Sequence, residues 1–285
     1  MKTKYLNLYL KFLKKFIDLK RPIKVVFDCF NGSTGPIAFQ LFKTVPFLKA
    51  HFINFKSNGY FPAHGPNPLI KGKLAQLKKE VIKRKADLGV AFDADGDRAF
   101  FVDNSGKILP SYVMVKLLRL NQKSKMVTDL ITYSCLNLVG LLDKNTFQSR
   151  VGSYFIKKAM RSHQADFGIE DSGHYYFKEF FYADSGILAA IKVINQLSRL
   201  PYSLKDFYDF LPFLIIKKKI IKTKKPKTIL KEFSKKYAKK ALAVSQLDGL
   251  SFYFKNSWLN VRPSNTESLI RITEVFKQNK KTEKS

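Results

Sequence analysis

The chain has 285 residues, 45% of them hydrophobic, and 52 Lys and Arg against 22 Asp and Glu give it a formal net charge of +30. At about 150 residues per domain, that length makes two domains or three small ones with real cores, which excludes disorder as a description of the whole. Two cysteines, Cys29 and Cys135, are too few for a disulfide scaffold or a thiolate metal site, and no run approaches the roughly 18 apolar residues that span a bilayer. Lys11, Lys14 and Lys15 interrupt the apolar N-terminus, which does not read as a signal peptide. A cytoplasmic protein with no membrane partner is the expectation.

From Tyr5 to Ile17, apolar residues at helical spacing predict a lead-in helix ended before Pro22. Ile23 to Asp28 predicts a strand feeding the loop Asn31-Gly32-Ser33-Thr34-Gly35, with a helix from about Pro36 to Lys43. A strand at Ala50 to Phe55, a helix marked by Leu74, Leu77 and Val81, and a buried strand at Leu88 to Phe92 follow. The pattern restarts with a strand at Met126 to Asp129, helices near Ser134 to Leu142 and Ser153 to Arg161, a strand at Asp166 to Ile169 and a helix from Ala183 to Leu197. Strands alternating with helices mean crossovers and mainly parallel pairing. After Leu211-Pro212 come a basic strand, a Lys-rich helix and strands at Ser251 to Phe254, Trp258 to Val261 and Leu269 to Glu274. The fold class read from this is α/β: two tandem α/β/α domains with mixed sheets, residues 20–120 and 121–212, followed by a smaller α+β domain, residues 213–285, with residues 1–19 as linker.

The positive charge peaks between Lys217 and Lys240, where twelve lysines face one acid, Glu232. Ile229, Leu230, Phe233, Tyr237 and Ala241 recur there at helical spacing, so these lysines read as the solvated back of an amphipathic helix. Aromatic residues do not alternate with arginine as a base-stacking platform requires, and a nucleic-acid partner is disfavoured.

Three constellations carry chemistry. Phe92-Asp93-Ala94-Asp95-Gly96-Asp97-Arg98 directly follows a buried strand, where loops of α/β sheets bind ligands. Alternate residues of an extended loop share a side, so Asp93, Asp95 and Asp97 converge, and a hard divalent ion, Mg²⁺ by preference, offsets their repulsion. An acidic surface turn is the plain alternative. An EF-hand fits poorly, with Arg98 at the sixth loop position and Asn104 at the twelfth, whereas an aspartyl phosphatase is a fairer competitor. In the second constellation, Glu170, Ser172 and His174 place a carboxylate, a hydroxyl and an imidazole on a Gly-flanked loop, a set suited to sugar hydroxyls, or else a hairpin with a locally satisfied histidine. In the third, Arg262-Pro263-Ser264-Asn265-Thr266-Glu267 joins a guanidinium fork to short donors, the inventory a phosphate monoester requires. Ser264 and Glu267 also match a helix capping box, against which the alternation of Ile270 and Ile272 with Arg271 and Thr273 argues for a strand.

Taken in order, these motifs resemble the α-D-phosphohexomutases, the phosphomannomutase/phosphoglucomutase family. Val26-Phe27-Asp28-Cys29-Phe30-Asn31-Gly32 is similar to that family's second-domain start, and Gly65-Pro66-Asn67-Pro68-Leu69 to its connecting segment. Asp93 to Arg98 looks like its metal loop, Glu170 to His174 like its sugar-specificity loop, and Arg262 to Thr266 like its phosphate-binding loop. The resemblance implies an intramolecular phosphoryl shift between C1 and C6 of a hexose phosphate, through a bisphosphorylated intermediate and an enzyme phosphoserine. By that resemblance Asp93, Asp95 and Asp97 hold Mg²⁺, Arg98 and His174 are the catalytic candidates, Glu170 and Ser172 grip sugar hydroxyls, and Arg262, Ser264, Asn265 and Thr266 hold the non-reacting phosphate.

The sequence also departs from the family pattern. The nucleophilic serine of a Thr-Ala-Ser-His-Asn-Pro type loop has no counterpart here, so turnover is expected to need a serine-bearing N-terminal domain, encoded separately or in a longer gene. Ser153, in Gly152-Ser153-Tyr154-Phe155-Ile156-Lys157, stands where the family often carries histidine, and Ile131 stands where it carries a basic residue. A non-catalytic hexose-phosphate binder or regulator is the alternative reading.

Overall fold

The structure is a computed structural model and describes residues 2–119, 124–264 and 267–278. In chain order it runs α1 (Lys2–Lys14), β1 (Ile23–Asp28), α2 (Thr34–Phe42), β2 (Leu48–Ile53), α3 (Ala75–Lys83), β3 (Leu88–Phe92), β4 (Ala99–Asp103), α4 (Ser111–Leu118) and β5 (Met126–Thr128). Next come α5 (Leu130–Val139), β6 (Thr146–Gln148), α6 (Ser153–His163), β7 (Phe167–Ile169), β8 (Tyr175–Phe177), β9 (Ala183–Asp184), α7 (Gly186–Leu197) and α8 (Leu204–Asp209). The last elements are β10 (Leu214–Lys222), α9 (Pro226–Tyr237), β11 (Ala243–Ser245), β12 (Leu250–Tyr253), β13 (Ser257–Pro263) and β14 (Leu269–Lys277). Two compact units result, one of Met1–Ser124 with Asp166–Phe210, the other of Lys125–Ala165 with Leu211–Ser285.

In the first unit a sheet of order β2-β1-β3-β4 has β1 parallel to both β2 and β3, with β4 antiparallel to β3. Strands β1 and β3 keep their predicted limits, and β3 is an unbroken apolar run because a strand covered on both faces has no polar side to show. Val25, Val26, Phe27, Val90, Ala91 and Phe92 are fully buried. Phe27 stacks on Phe42 of α2, with centroids 4.5 Å apart. On the other face Leu74, Leu77 and Val81 of the α3 segment pack against Val26, Ala91 and Val102. The segment after α1 is strapped to α7: Asn195 Nδ2 donates to the Phe16 carbonyl, and the Asp18 N–H donates to Asn195 Oδ1.

Several elements differ from the expectation. β4 is an antiparallel return of β3, hidden in the sequence because its Ala-Phe-Phe-Val-Asp run abuts the acidic loop directly. α5 begins at Leu130, four residues before the expected start, because the Asp129 carboxylate caps it by accepting from the Thr132 N–H. The helix expected from Ala183 starts at Gly186: Ala183 and Asp184 pair with Phe177 and Tyr176 of β8, and Ser185 caps the helix.

In the second unit β5 and β6 pair in parallel, and the sheet β10-β14-β13-β12-β11 is antiparallel throughout. Ile229, Leu230, Phe233 and Tyr237 of α9 lie on a core of Phe252, Leu259, Val261, Ile270 and Ile272, so the lysines of that helix form its outer face, as its periodicity predicts. Parallel β1–β2, β1–β3 and β5–β6 pairs alongside antiparallel β3–β4 and β7–β8–β9 pairs agree with two α/β/α domains with mixed sheets and a C-terminal domain on an antiparallel sheet. Among the described residues no helix is long and apolar enough to cross a membrane.

Candidate active site

Strand order places β1 beside β3, and the connection from β1 leaves toward β2 on the other side. A crevice at the carboxyl ends of β1 and β3 follows, the place where open α/β sheets take ligands. The loop Asp93–Arg98 leaves β3 there and rests on the start of α2: the Ser33 N–H donates to the Ala94 carbonyl at 2.8 Å. Gly96, further along the loop, lies against Thr34 of the same helix start with φ +77°, and a Cβ on it would lie 1.7 Å from Thr34 Oγ1. No other residue lets the loop lie so close.

Asp93, Asp95 and Asp97 each bring a carboxylate oxygen within 4.8 Å of the others. Asp93 is 1% exposed, which excludes an ordinary surface turn. Its Oδ1 accepts from the N–H groups of Gly96 and Arg98, both at 3.2 Å, and its Oδ2 accepts from Arg98 Nε. Asp97 Oδ1 is buried with no hydrogen-bond partner, its ion-pair neighbour Arg98 Nε lying 3.6 Å away. A buried orphan oxygen beside two further carboxylates fits a hard cation with oxygen ligands.

Burial pushes the Asp93 carboxyl up to about 6, with Asp97 adding to the rise and Arg98 opposing it. Between the ordinary value of 3.8 and about 6 the fold therefore holds a proton that the unfolded chain has lost, so metal-free stability falls as pH rises through that window. A bound cation competes with the same proton. Mg²⁺ affinity is expected to drop as pH falls from 7.5 to 5.5, with proton release near pH 6 seen as a buffer-dependent heat of binding. Affinity flat across that range would remove Asp93 from the titrating set.

The hairpin β7–β8 turns through Glu170–His174, closed by the Glu170 N–H on the His174 carbonyl and the Gly173 N–H on the Glu170 carbonyl, both 3.0 Å. Arg98 and His174 form an antiparallel bridge, and the Ala99 N–H donates to the Gly173 carbonyl. His174 Nε2 lies 3.3 Å from Asp97 Oδ2, and its Nδ1 lies 2.8 Å from Ser172 Oγ and 3.5 Å from Glu170 Oε2. Glu170 is 3% exposed, and the Tyr176 hydroxyl donates to its Oε2 at 2.6 Å. Burial and the Glu170 carboxylate push the Tyr176 phenol far up, so it stays a donor. Sequence reasoning missed Tyr176 and also Asp184, which brings a ligand atom within 4.8 Å of those of Asp97 and His174. The signal for Tyr176 was its place two residues past His174 on the same strand face.

Arg262 lies on β13 in the second unit, where its Nη1 donates to Asp248 Oδ2 at 3.2 Å. Asp248 Oδ2 also accepts from the Val151 N–H, tying the Gly152-Ser153 loop at the start of α6 to β13 through a residue the motifs did not single out. The Ser264 N–H donates to the Leu269 carbonyl, and Leu269 opens β14, so no helix follows and the capping-box reading fails. Asn265 and Thr266 lie outside the described residues. The structure thus brings Asp93, Asp95, Asp97, Arg98, Glu170, Ser172 and His174 together in one unit, whereas Arg262 and Ser264 belong to the other.

Three family models match the chain: phosphoglucomutase/phosphomannomutase alpha/beta/alpha domain II over residues 7–106, alpha/beta/alpha domain III over 106–213, and the C-terminal domain over 219–274. A phosphomannomutase of Vibrio cholerae is 32% identical over 273 residues, covering 91% of this chain and 59% of its own length. One from Methanocaldococcus jannaschii is 34% identical over 259 residues, covering 87% and 56%. The chain thus spans less than two thirds of the length of these relatives. Among solved structures, a phosphoglucomutase/phosphomannomutase family protein of Burkholderia thailandensis superposes with a TM-score of 0.84 at 23% identity, covering 96% of this chain and 60% of that one. The N-acetylphosphoglucosamine mutase of Aspergillus fumigatus, solved with GlcNAc-6P and magnesium, shares the fold with a TM-score of 0.59 at 14% identity over 94% of this chain and 64% of that one.

Proposed function

Because the chain belongs to the phosphoglucomutase/phosphomannomutase family, we propose that it is the metal- and sugar-phosphate-binding part of a phosphohexomutase, an isomerase that moves a phosphoryl group between C1 and C6 of a hexose phosphate. One observation carries this reading: the acidic loop and the Glu170–His174 hairpin are built as one body, through the Arg98–His174 bridge and the contact of Asp97 with His174. A cation site and a hydroxyl-reading site are joined there, as a metal-assisted reaction on a sugar ester needs.

In this reading Asp93, Asp95 and Asp97 hold Mg²⁺, which when bound neutralises charge on the transferring phosphoryl group. Arg98, already anchored to Asp93, presents the rest of its guanidinium beside the metal loop. Glu170, locked by Tyr176, accepts from sugar hydroxyls, and Ser172 supplies the neighbouring donor. His174 faces Ser172 Oγ through Nδ1 and the Asp97 carboxylate through Nε2, which sets its ring between the sugar-reading residues and the metal loop. Arg262, Ser264, Asn265 and Thr266 hold the non-reacting phosphate. The domains are proposed at residues 20–120, 121–212 and 213–285, in a cytoplasmic protein whose buried Cys29 and Cys135 stay reduced.

A second reading, a hexose-phosphate binder without turnover, is favoured by Ser153, which puts a hydroxyl where an imidazole for proton transfer would stand. The two separate in a coupled mutase assay with mannose 1-phosphate or glucose 1-phosphate, run with and without a serine-bearing domain of the family. Turnover only with that domain and Mg²⁺ is the expected result. Tight sugar-phosphate binding with no turnover under either condition supports the binder. Phosphate release by the chain alone, abolished by Asp93→Asn, would replace both readings with an aspartyl phosphatase.

A further inference from the structure

Helix α7 begins against the metal loop. The Gly186 N–H, one of the donors that a helix start leaves without an intrahelical partner, donates to the Gly96 carbonyl at 3.0 Å. Gly186 is buried, and a Cβ built on it would lie 2.6 Å from the Arg98 carbonyl oxygen and 2.8 Å from that of Gly96. Both obstacles are backbone, so a side chain there cannot be absorbed by turning a rotamer; the loop itself must retreat. The segment before the helix is also fixed. The Ser185 N–H donates to the Tyr175 carbonyl, and Ser185 Oγ caps α7 by accepting from the Leu188 N–H at 3.2 Å. One short stretch, Asp184–Gly186, therefore touches both the β8 strand of the hairpin and the backbone between Asp95 and Arg98.

We propose that Gly186 is a positioning residue for the metal loop: its N–H anchors the Gly96 carbonyl, and its missing side chain lets α7 press on the backbone of Gly96 and Arg98, which sets the spacing of Asp95 and Asp97. The inference rests on the Mg²⁺ reading of that loop. Carboxylates that bind a small hard cation tolerate displacements of only about 0.5 Å, and outer groups that orient metal ligands are worth about 10- to 100-fold in metal affinity.

The test is calorimetric titration of the full chain with Mg²⁺, well below its melting temperature, beside Gly186→Ala. Wild type is expected to bind, and Gly186→Ala to bind about tenfold or more weakly. The ¹⁵N shifts of the His174 imidazole should change in Gly186→Ala as Asp97 moves, a signature that a general loss of stability would not give. Gly59→Ala, at a glycine with nothing within 4 Å of its Cβ position, should match wild type in both. No binding by wild type ends the metal-loop reading and the inference with it. Wild-type binding with unchanged affinity in Gly186→Ala overturns the inference alone. Should Gly186→Ala fail to fold, Ser185→Ala decides: it keeps the glycine but frees the first turn of α7, and a several-fold loss of affinity supports the role whereas wild-type affinity overturns it.

Discussion

Asp97→Asn is expected to weaken Mg²⁺ binding by about 100-fold, at the upper end of what removing an orienting group alone costs. The three acids of the loop are not equivalent. Both oxygens of Asp93 are already engaged by Arg98 and the loop backbone, and Asp95 is exposed, where solvent screens its charge. Asp97 keeps a buried oxygen with no hydrogen-bond partner, so it has most to give a cation and least to lose. Asparagine preserves its shape, and the pair it forms with His174 is partly open to solvent, so the metal-free fold should change little in stability. Two side effects identify the cause: the Asp93 carboxyl should come down, having lost a neighbouring negative charge, and the His174 ring should lose the carboxylate beside its Nε2 while keeping that of Glu170 beside its Nδ1. An Asp97→Asn chain that binds Mg²⁺ as tightly as wild type would mean that the cation, if bound at all, sits elsewhere.

Arg262→Ala should cost about 1.5–3 kcal/mol of hexose-phosphate affinity, roughly 10- to 100-fold, the range for a hydrogen bond to a charged group. It should also lower stability, because Asp248, 7% exposed, loses one of its two partners on Oδ2 and keeps only the Val151 N–H. Leaving a buried carboxylate underpaired costs about 1–3 kcal/mol. The two effects separate in Arg262→Lys, which restores charge without the planar fork: stability should recover further than affinity does. Inorganic phosphate serves as the control ligand. Equal loss for phosphate and for a sugar phosphate places Arg262 on the phosphate, and no loss for either would remove it from the binding site.

The fold was most legible where burial is complete and local. Leu88 to Phe92 reads as a covered strand from its uninterrupted apolar run, and the acidic residues just after it read as a sheet-end loop. Where one element depends on another distant in sequence, the pattern failed. The start of α7 is set by Asp184 pairing with Tyr176 and by Ser185 capping the helix, neither of which leaves a periodic mark. The candidate ligands Asp93, Asp95 and Asp97 were legible because their spacing is itself the signal. Tyr176, Asp248 and Gly186 were not, because each works through a group that only folding brings near: the Glu170 carboxylate, the Arg262 guanidinium and the Gly96 carbonyl.

The most direct measurement is calorimetric titration of this chain with mannose 6-phosphate and glucose 6-phosphate, in Mg²⁺, against inorganic phosphate and the unphosphorylated hexoses. Saturable one-to-one binding of at least one hexose phosphate, far tighter than phosphate or sugar alone and weakened separately by Glu170→Gln and Arg262→Ala, is the predicted outcome. Affinities that track phosphate alone, indifferent to the sugar and to Glu170, would contradict it.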